Sequence, residues 1–421
     1  MKHKLYGQTW LLLLSLLFLA PAMRAQSDDD FFSIGGVVKH ATSKKSLEYV
    51  NVSVVGTNIG TISNENGEFV LKIGNGLTVR EIELSCVGYY NARQTVSASN
   101  VSNQVFYLSP RSVELDEFEV LGWKNPADLV TAAIDRVTQN YSATPNLLTA
   151  FYRETIQKGK RYINVSEAVM DVYKSPYKVG AVGDRVQILK GRKLLSPNQK
   201  DTLAVKLVGG PNTAVFVDVV KNPDVLLDKE LLRYYVYTMG ETTSIDDRLH
   251  YVVYFKPQML VSQPLYAGTY YIDKETLAFT RIEFSMDMRD KDEVTKLIVR
   301  NKPSGLRFTP DELSYIVAYK QHNGKSYLNY IRNEMRFRCD WKRKLFFTHY
   351  TIISEMVMTN RTDENVTKIT GKNAFSSGHS LSEKVMSYYD KDFWGSYNII
   401  EPTESLESAV TKLKRTDTVV F

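Results

Sequence analysis

Val50-Asn51-Val52-Ser53-Val54-Val55-Gly56-Thr57 decides the fold of the N-terminal region. Val50, Val52 and Val54 point one way and Asn51 and Ser53 the other, the period of a half-buried β-strand. The pattern repeats on both sides. Upstream stands Gly35-Gly36-Val37-Val38. Downstream, Gly60-Thr61 leads to Asn64-Glu65-Asn66-Gly67, a turn because Asn and Gly tolerate positive φ. Phe69, Leu71 and Ile73 resume the alternation up to Gly74 and Gly76. Ile82, Leu84 and Cys86 alternate with Glu81, Glu83 and Ser85 and close at Gly88-Tyr89, and Val105-Phe106-Tyr107-Leu108 precedes Pro110. Short strands at this spacing predict a seven-stranded-type, immunoglobulin-like β-sandwich over residues 32–110.

These strings, with Asn66-Gly67-Glu68-Phe69 and Ser85-Cys86-Val87-Gly88-Tyr89, resemble the carboxypeptidase-regulatory-like domain. That resemblance implies a transthyretin-like, prealbumin-type sandwich. It also implies the setting in which such domains stand, the front of Gram-negative envelope proteins and TonB-dependent transporters. It implies no peptidase activity. Residues 111–124 read as a connector, whose Val113-Glu114-Leu115-Asp116-Glu117-Phe118-Glu119-Val120 resembles the lead into a transporter plug. The rest of the chain is too short for a plug and a large barrel.

Residues 1–25 read as a secretory signal peptide. Lys2 and Lys4 precede the apolar run 10–20, and small residues follow, with cleavage expected after Ala22 or Ala25. The run is shorter than the roughly 20 helical residues that span a bilayer. The formal net charge of +6 includes Lys2, Lys4 and Arg24, so cleavage halves it. A nearly neutral exported chain lacks the electrostatic footprint of a nucleic-acid binder. The expected address is the periplasm or the outer membrane, with membrane association possible through the surface.

Residues 125–375 read as a helix followed by an antiparallel β domain, a curved sheet or half barrel. Asn125-Pro126 starts the helix as cap and first turn, and Val130, Ala133, Ile134 and Val137 form its stripe. Strands are expected at 151–156, 162–173, 232–239, 249–255, 268–272, 278–288, 315–320, 327–337 and 346–358. Asn323-Gly324 marks a hairpin. Residues 205–225 follow no single period. The meander, with Tyr266-Ala267-Gly268-Thr269-Tyr270-Tyr271-Ile272-Asp273, also resembles lipoprotein-carrier half barrels. Residues 376–421 read as a tail with a short helix through Leu406, Ala409, Val410 and Leu413. Terminal Phe421 raises the alternative of a small outer-membrane barrel, but Thr411-Lys412-Leu413-Lys414-Arg415 is not a barrel strand.

The familiar chemistries fail on spacing. No two histidines of the mature chain stand within four residues, against the zinc-protease pattern. Gly324-Lys325-Ser326 lacks the first glycine of a phosphate loop, since Tyr319 stands there. Asn64-Glu65-Asn66-Gly67 lacks the flanking carboxylates of a calcium loop, with Ile62 and Ile73 in their places. Ser175 and Lys178 have the spacing of serine–lysine acylases, but Pro176 opposes the helix that would join them. Glu154 and Glu167 on one face would suit glycoside hydrolysis, unless Arg153 pairs with them. Cys86 and Cys339 lie on apolar strand faces in different domains, so no disulfide is expected. No catalytic residue, metal ligand or cofactor is assigned.

Two clusters remain. Lys342, Arg343 and Lys344, with Arg336 and Arg338, make a basic turn suited to a solvated edge or to acidic lipid or polysaccharide. Tyrosines crowd the meander, and Tyr235, Tyr237, Tyr254, Tyr266 and Tyr270 are the candidate binding residues, since tyrosine joins apolar area to a polar end. The reading is a non-enzymatic cell-envelope protein that binds a lipid, a glycan or another envelope protein. An envelope hydrolase acting on peptide or glycan is the alternative.

Overall fold

The computed structural model describes residues 30–417 except 98, 113–122, 199–200, 260, 262, 343–345, 378 and 390–393. The signal segment, most of the connector, Arg343, Lys344 and Phe421 therefore lie outside the described residues.

Seven strands come first: β1 (Phe31–His40), β2 (Asn51–Val54), β3 (Gly60–Ile62), β4 (Glu68–Gly74), β5 (Glu81–Ser85), β6 (Ala92–Thr95) and β7 (Val101–Leu108). They form two sheets, β4-β1-β7 and β3-β2-β5-β6, with β1 and β7 parallel. The predicted alternation is what closes them: Val52, Val54, Phe69, Leu71, Ile73, Ile82 and Leu84 are all buried between the sheets. Asn64 Oδ1 accepts from the backbone N–H of Asn66 and of Glu68, each at 2.9 Å, so the predicted turn is tied by its own side chain. Gly67 has φ +78°, and a Cβ there would lie 2.6 Å from the Val38 carbonyl oxygen, so the turn requires glycine twice over.

The second region holds β8 (Asn146–Lys158), β9 (Arg161–Lys174), β10 (Arg185–Leu195), β11 (Lys206–Leu207), β12 (Tyr235–Met239), β13 (Thr243–Ile245), β14 (Arg248–Pro257), β15 (Tyr266–Asp273), β16 (Phe279–Met286), β17 (Val299–Asn301), β18 (Leu306–His322), β19 (Lys325–Trp341) and β20 (Thr348–Thr362). One curved antiparallel sheet runs β10-β9-β8-β20-β19-β18-β16-β15-β14-β12, with β13 also on β14, and β11 pairs with β17 apart from it. Asn323 and Gly324 take φ of +49° and +74°, the positive values a two-residue hairpin needs. The helices are α1 (Pro126–Asp135), α2 (Val137–Asn140), α3 (Pro211–Phe216), α4 (Lys291–Ile298), α5 (Leu381–Lys384) and α6 (Glu404–Asp417). Asn125 caps α1 by accepting from Ala127 N at 3.1 Å, and Pro126 occupies the first turn.

Strand parity divides the large sheet into two faces. On the helix face, Tyr152, Ala168, Val317, Ile331 and Met356 pack against Leu129 and Val130 of α1, Val215 of α3 and Leu381 of α5. Further along the same face, Ile156, Met286, Leu313, Met335 and Phe337 pack against Val294 and Ile298 of α4. On the opposite face, Phe151, Val169, Tyr330 and Val357 pack against Ile62 of the sandwich and Ile399 and Ile400 of the C-terminal segment. Complete burial of each such aromatic contributes on the order of 2–3 kcal/mol. Leu406, Val410 and Leu413 of α6 bury against Val165 and Leu194.

The sandwich is therefore clamped rather than merely tethered. Tyr49 stacks on Tyr330 with centroids 5.8 Å apart. Arg332 reaches Glu65 at 3.3 Å while also binding Glu334 and Glu355 at 3.1 and 3.0 Å. Asn398 pairs with the Lys72 backbone in both directions, at 2.7 and 3.0 Å.

Candidate functional site

One ladder row crosses the whole helix face. Register aligns Lys193 (β10), Ser166 (β9), Glu154 (β8), Ser354 (β20), Asn333 (β19), Tyr315 (β18), Phe284 (β16), Gly268 (β15), Phe255 (β14) and Tyr237 (β12) as successive cross-strand partners. Directly opposed residues point the same way, so these side chains form one band. Its first half is polar and its second half aromatic. It lies between the two apolar clusters of this face: Tyr152 and Ile156 flank Glu154, and Ile331 and Met335 flank Asn333.

The polar half is incompletely satisfied. Tyr152 donates its hydroxyl to Glu154 Oε2 at 3.1 Å, and Ser166 donates to Asn164 Oδ1 at 2.9 Å. Asn333 Nδ2 donates to Ser354 Oγ at 3.3 Å, but Asn333 Oδ1 is buried without a hydrogen-bond partner. Burial pushes the Glu154 carboxyl above its ordinary pKa, outweighing the Tyr152 hydrogen bond. Burial likewise pushes Lys193 down, against the pull of Glu383 and Glu154. Asn333, Ser354, Tyr315 and Lys193 are half-buried, whereas Glu154, Ser166, Phe284 and Phe255 of the same row are buried.

The aromatic half is stacked. Tyr315 and Phe284 lie 4.8 Å apart at 18°, and Tyr266 meets Phe284 edge-on at 5.3 Å. Phe255 and Tyr270 stack at 4.3 Å. Tyr235 touches Phe255 at 5.7 Å and Tyr237 at 6.3 Å. Of the five candidate tyrosines, the structure brings Tyr235, Tyr237, Tyr266 and Tyr270 together here. Tyr235 and Tyr270 are buried in the core, Tyr237 and Tyr266 are half-buried, and Tyr254 is exposed on the other face. The hydroxyls of Tyr237 and Tyr270 are buried without partners.

Glu154 and Glu167 do not share a face. Glu154 opposes Ser166, which places Glu167 on the sandwich side. There Glu167 binds Arg153 at 2.7 Å and Arg192 at 2.5 Å, and these two cations overcome burial to hold its carboxyl below the ordinary range. The two-carboxylate arrangement of glycoside hydrolysis is thus absent from this pair.

A second polar cluster was not visible in sequence. Lys174, Asp184, Asp218 and Lys221 form a buried network: Lys174 lies 2.8 Å from each aspartate and Lys221 2.6 Å from Asp184. Tyr177 and Tyr319 donate to Asp218 at 3.0 and 2.7 Å. Ser175 does have an amine neighbour, but it is Lys221, at 3.1 Å, and not Lys178. Burial, then Lys174, lowers Lys221 to about 8. Lys221 donates to Ser175 O, Ser175 Oγ and Asp184 Oδ1, which uses all three protons of its ammonium. Asp184 also lines a cleft of about 620 Å³ with Val186, Val215, Phe216 and Phe375. Among the described residues, no group of three or more His, Cys, Asp or Glu could hold a metal ion, and no helix is long and apolar enough to cross a membrane. Cys86 and Cys339 are free thiols.

Residues 34–120 match the family model of the CarboxypepD_reg-like domain, as the sequence resemblance anticipated. No curated protein matches the chain. Among solved structures, a domain assigned to outer membrane lipoprotein sorting from Vibrio parahaemolyticus aligns at 8% identity and a TM-score of 0.24, covering 57% of this chain and 94% of that one. A DUF1329 family protein from Desulfovibrio piger aligns at 13% identity and a TM-score of 0.23, covering 58% and 96%. Lipovitellin aligns at 7% identity and a TM-score of 0.26, covering 53% and 26%. None of these scores reaches the level at which a shared fold follows.

Proposed function

We propose that the chain is a non-enzymatic binding protein of the cell envelope. Its helix face takes an amphipathic ligand of lipid type along the cross-strand band. The observation that supports this is the division of one ladder row into a polar half and an aromatic half. Glu154, Lys193, Ser354 and Asn333 offer a charged and hydrogen-bonding end, and Asn333 Oδ1 awaits a donor. Tyr315, Phe284 and Tyr266 offer stacked apolar area beside it. A buried acceptor without a partner costs about 1–3 kcal/mol, and a ligand donor would recover part of that. An exported address agrees with residues 1–25 and with the neighbourhoods in which regulatory-like domains stand.

The test is to purify the exported chain from envelope membranes in mild detergent and analyse its native mass. The expected result is a bound amphipathic species, diminished in Asn333→Leu. A chain that carries nothing, and that takes up no added fatty acid or phospholipid, contradicts the proposal.

The hydrolase reading rests on Ser175 and Lys221 behind the wall of the Asp184 cleft. A lysine that acts as base needs a free lone pair; burial and Lys174 favour that form by lowering Lys221 to about 8, while the protonated amine is fully engaged by Ser175 and Asp184. Labelling of Ser175 by a fluorophosphonate would favour that reading over the binding one.

A further inference from the structure

The end of the large sheet at the β8–β9 turn, with Phe346 and Phe347 just ahead of β20, carries a separate feature. Phe346 is 83% exposed and Phe347 53% exposed, where apolar side chains of this size normally seek cover. They project beside cations. The β8–β9 turn docks here, since Gly159 N donates to the His349 carbonyl at 2.9 Å, and it presents exposed Lys160 and Arg161. Lys342 N donates to Gly305 O at 3.2 Å, which adds exposed Lys342, Lys302 and Arg307 to the same end. Arg338 stacks on the Phe347 ring at 5.4 Å. Two nearby acids are paired, Asp201 with Lys158 and Arg161 and Asp311 with Lys291 and Arg338, and Asp340 faces Arg307 in the ladder.

We infer that this end docks on an anionic lipid surface, with Phe346 and Phe347 entering the interface and Lys160 and Lys342 facing the headgroups. Protruding aromatics ringed by excess cations match a negatively charged bilayer in both polarity and charge. A protein partner would cover the aromatics without needing the surplus charge, and a soluble polyanion would use the charge without needing the aromatics. The inference is independent of the ligand band.

The experiment is sedimentation of the signal-free full chain with phosphatidylcholine vesicles, with and without phosphatidylglycerol. Binding is expected to the phosphatidylglycerol vesicles and to weaken in raised salt. Phe346→Ser/Phe347→Ser should lower the partition by about tenfold or more, and Lys160→Glu and Lys342→Glu by about fivefold or more each. All four positions are exposed, so the fold should persist, which circular dichroism would check. Equal partition to both vesicle types, no effect of the phenylalanine changes, or binding to dextran sulfate but not to vesicles would overturn the inference.

Discussion

Glu154 and Glu167 differ by one position in the β8–β9 ladder, yet they live on opposite faces of the sheet and in opposite electrostatic conditions. Glu167 is held by two arginines, and Arg153 in turn donates to the Ile400 carbonyl at 2.7 Å. Glu154 is also buried, but its hydrogen bond comes from a tyrosine hydroxyl rather than from a cation. The same contrast holds for whole faces. The sandwich face is closed by Tyr49, Ile62, Ile399 and Ile400, and Arg332 finds three carboxylates there. The helix face keeps a half-buried row with orphan polar atoms at Asn333 and Tyr237. The sandwich face is bridged by ion pairs and apolar contacts from other parts of the chain, whereas the row on the helix face keeps buried polar atoms without partners.

Breaking the closed face should cost the most. Glu167→Ala removes the carboxylate shared by two arginines, one of them almost fully buried, and should lose about 3–5 kcal/mol in denaturant titration. Glu154→Gln should lose nothing or gain stability at neutral pH, because it removes a desolvated charge and keeps an acceptor for Tyr152. An equal loss from both would erase the contrast. Arg332→Ala should cost about 2–3 kcal/mol and should speed proteolytic release of the sandwich.

Acid should separate the two carboxylates by sign. Glu167 has its folded pKa below the unfolded value of 4.5, so it contributes stability above that pH and loses it as pH falls further. Glu154 has its folded pKa above 4.5, so its charge costs stability at neutral pH and the cost disappears as pH falls through that raised value. Any stability gain of Glu154→Gln should therefore shrink towards pH 4, measured by paired melts. The smallest stability effect is expected for Asn333→Leu, within about 1 kcal/mol of wild type or better, since it removes an unpaired acceptor.

Much of this architecture was legible from parity alone. Val50, Val52 and Val54, the Asn323-Gly324 hairpin and the Asn125-Pro126 helix start are local signals, and each stands where its residues predict. Strand β10 was missed because Lys190, Gly191, Arg192 and Lys193 interrupt its alternation, and the register does shift between Ile188 and Lys190. The candidate band left a faint local trace: Glu154, Asn333 and Ser354 each occupy an inward position between apolar neighbours. Their alignment was not readable, because it depends on β20 returning to pair with β8 across almost the whole domain. The Lys174–Asp184–Asp218–Lys221 network was hidden for the same reason, being drawn from separate segments with no common period. Tyr254 illustrates the converse, since crowding of tyrosines in sequence says nothing about which face each one takes.

On the proposed function, the polar-to-aromatic band should bind an amphipathic molecule. Fluorescence titration of the signal-free chain with a dansyl-labelled fatty acid tests it most directly, comparing wild type with Asn333→Leu and Tyr315→Ala. A saturable blue-shifted signal is expected in the wild type, weakened about tenfold in each variant, with melting little changed for Asn333→Leu. A flat titration of the folded wild type, or a signal that both variants leave intact, would contradict it.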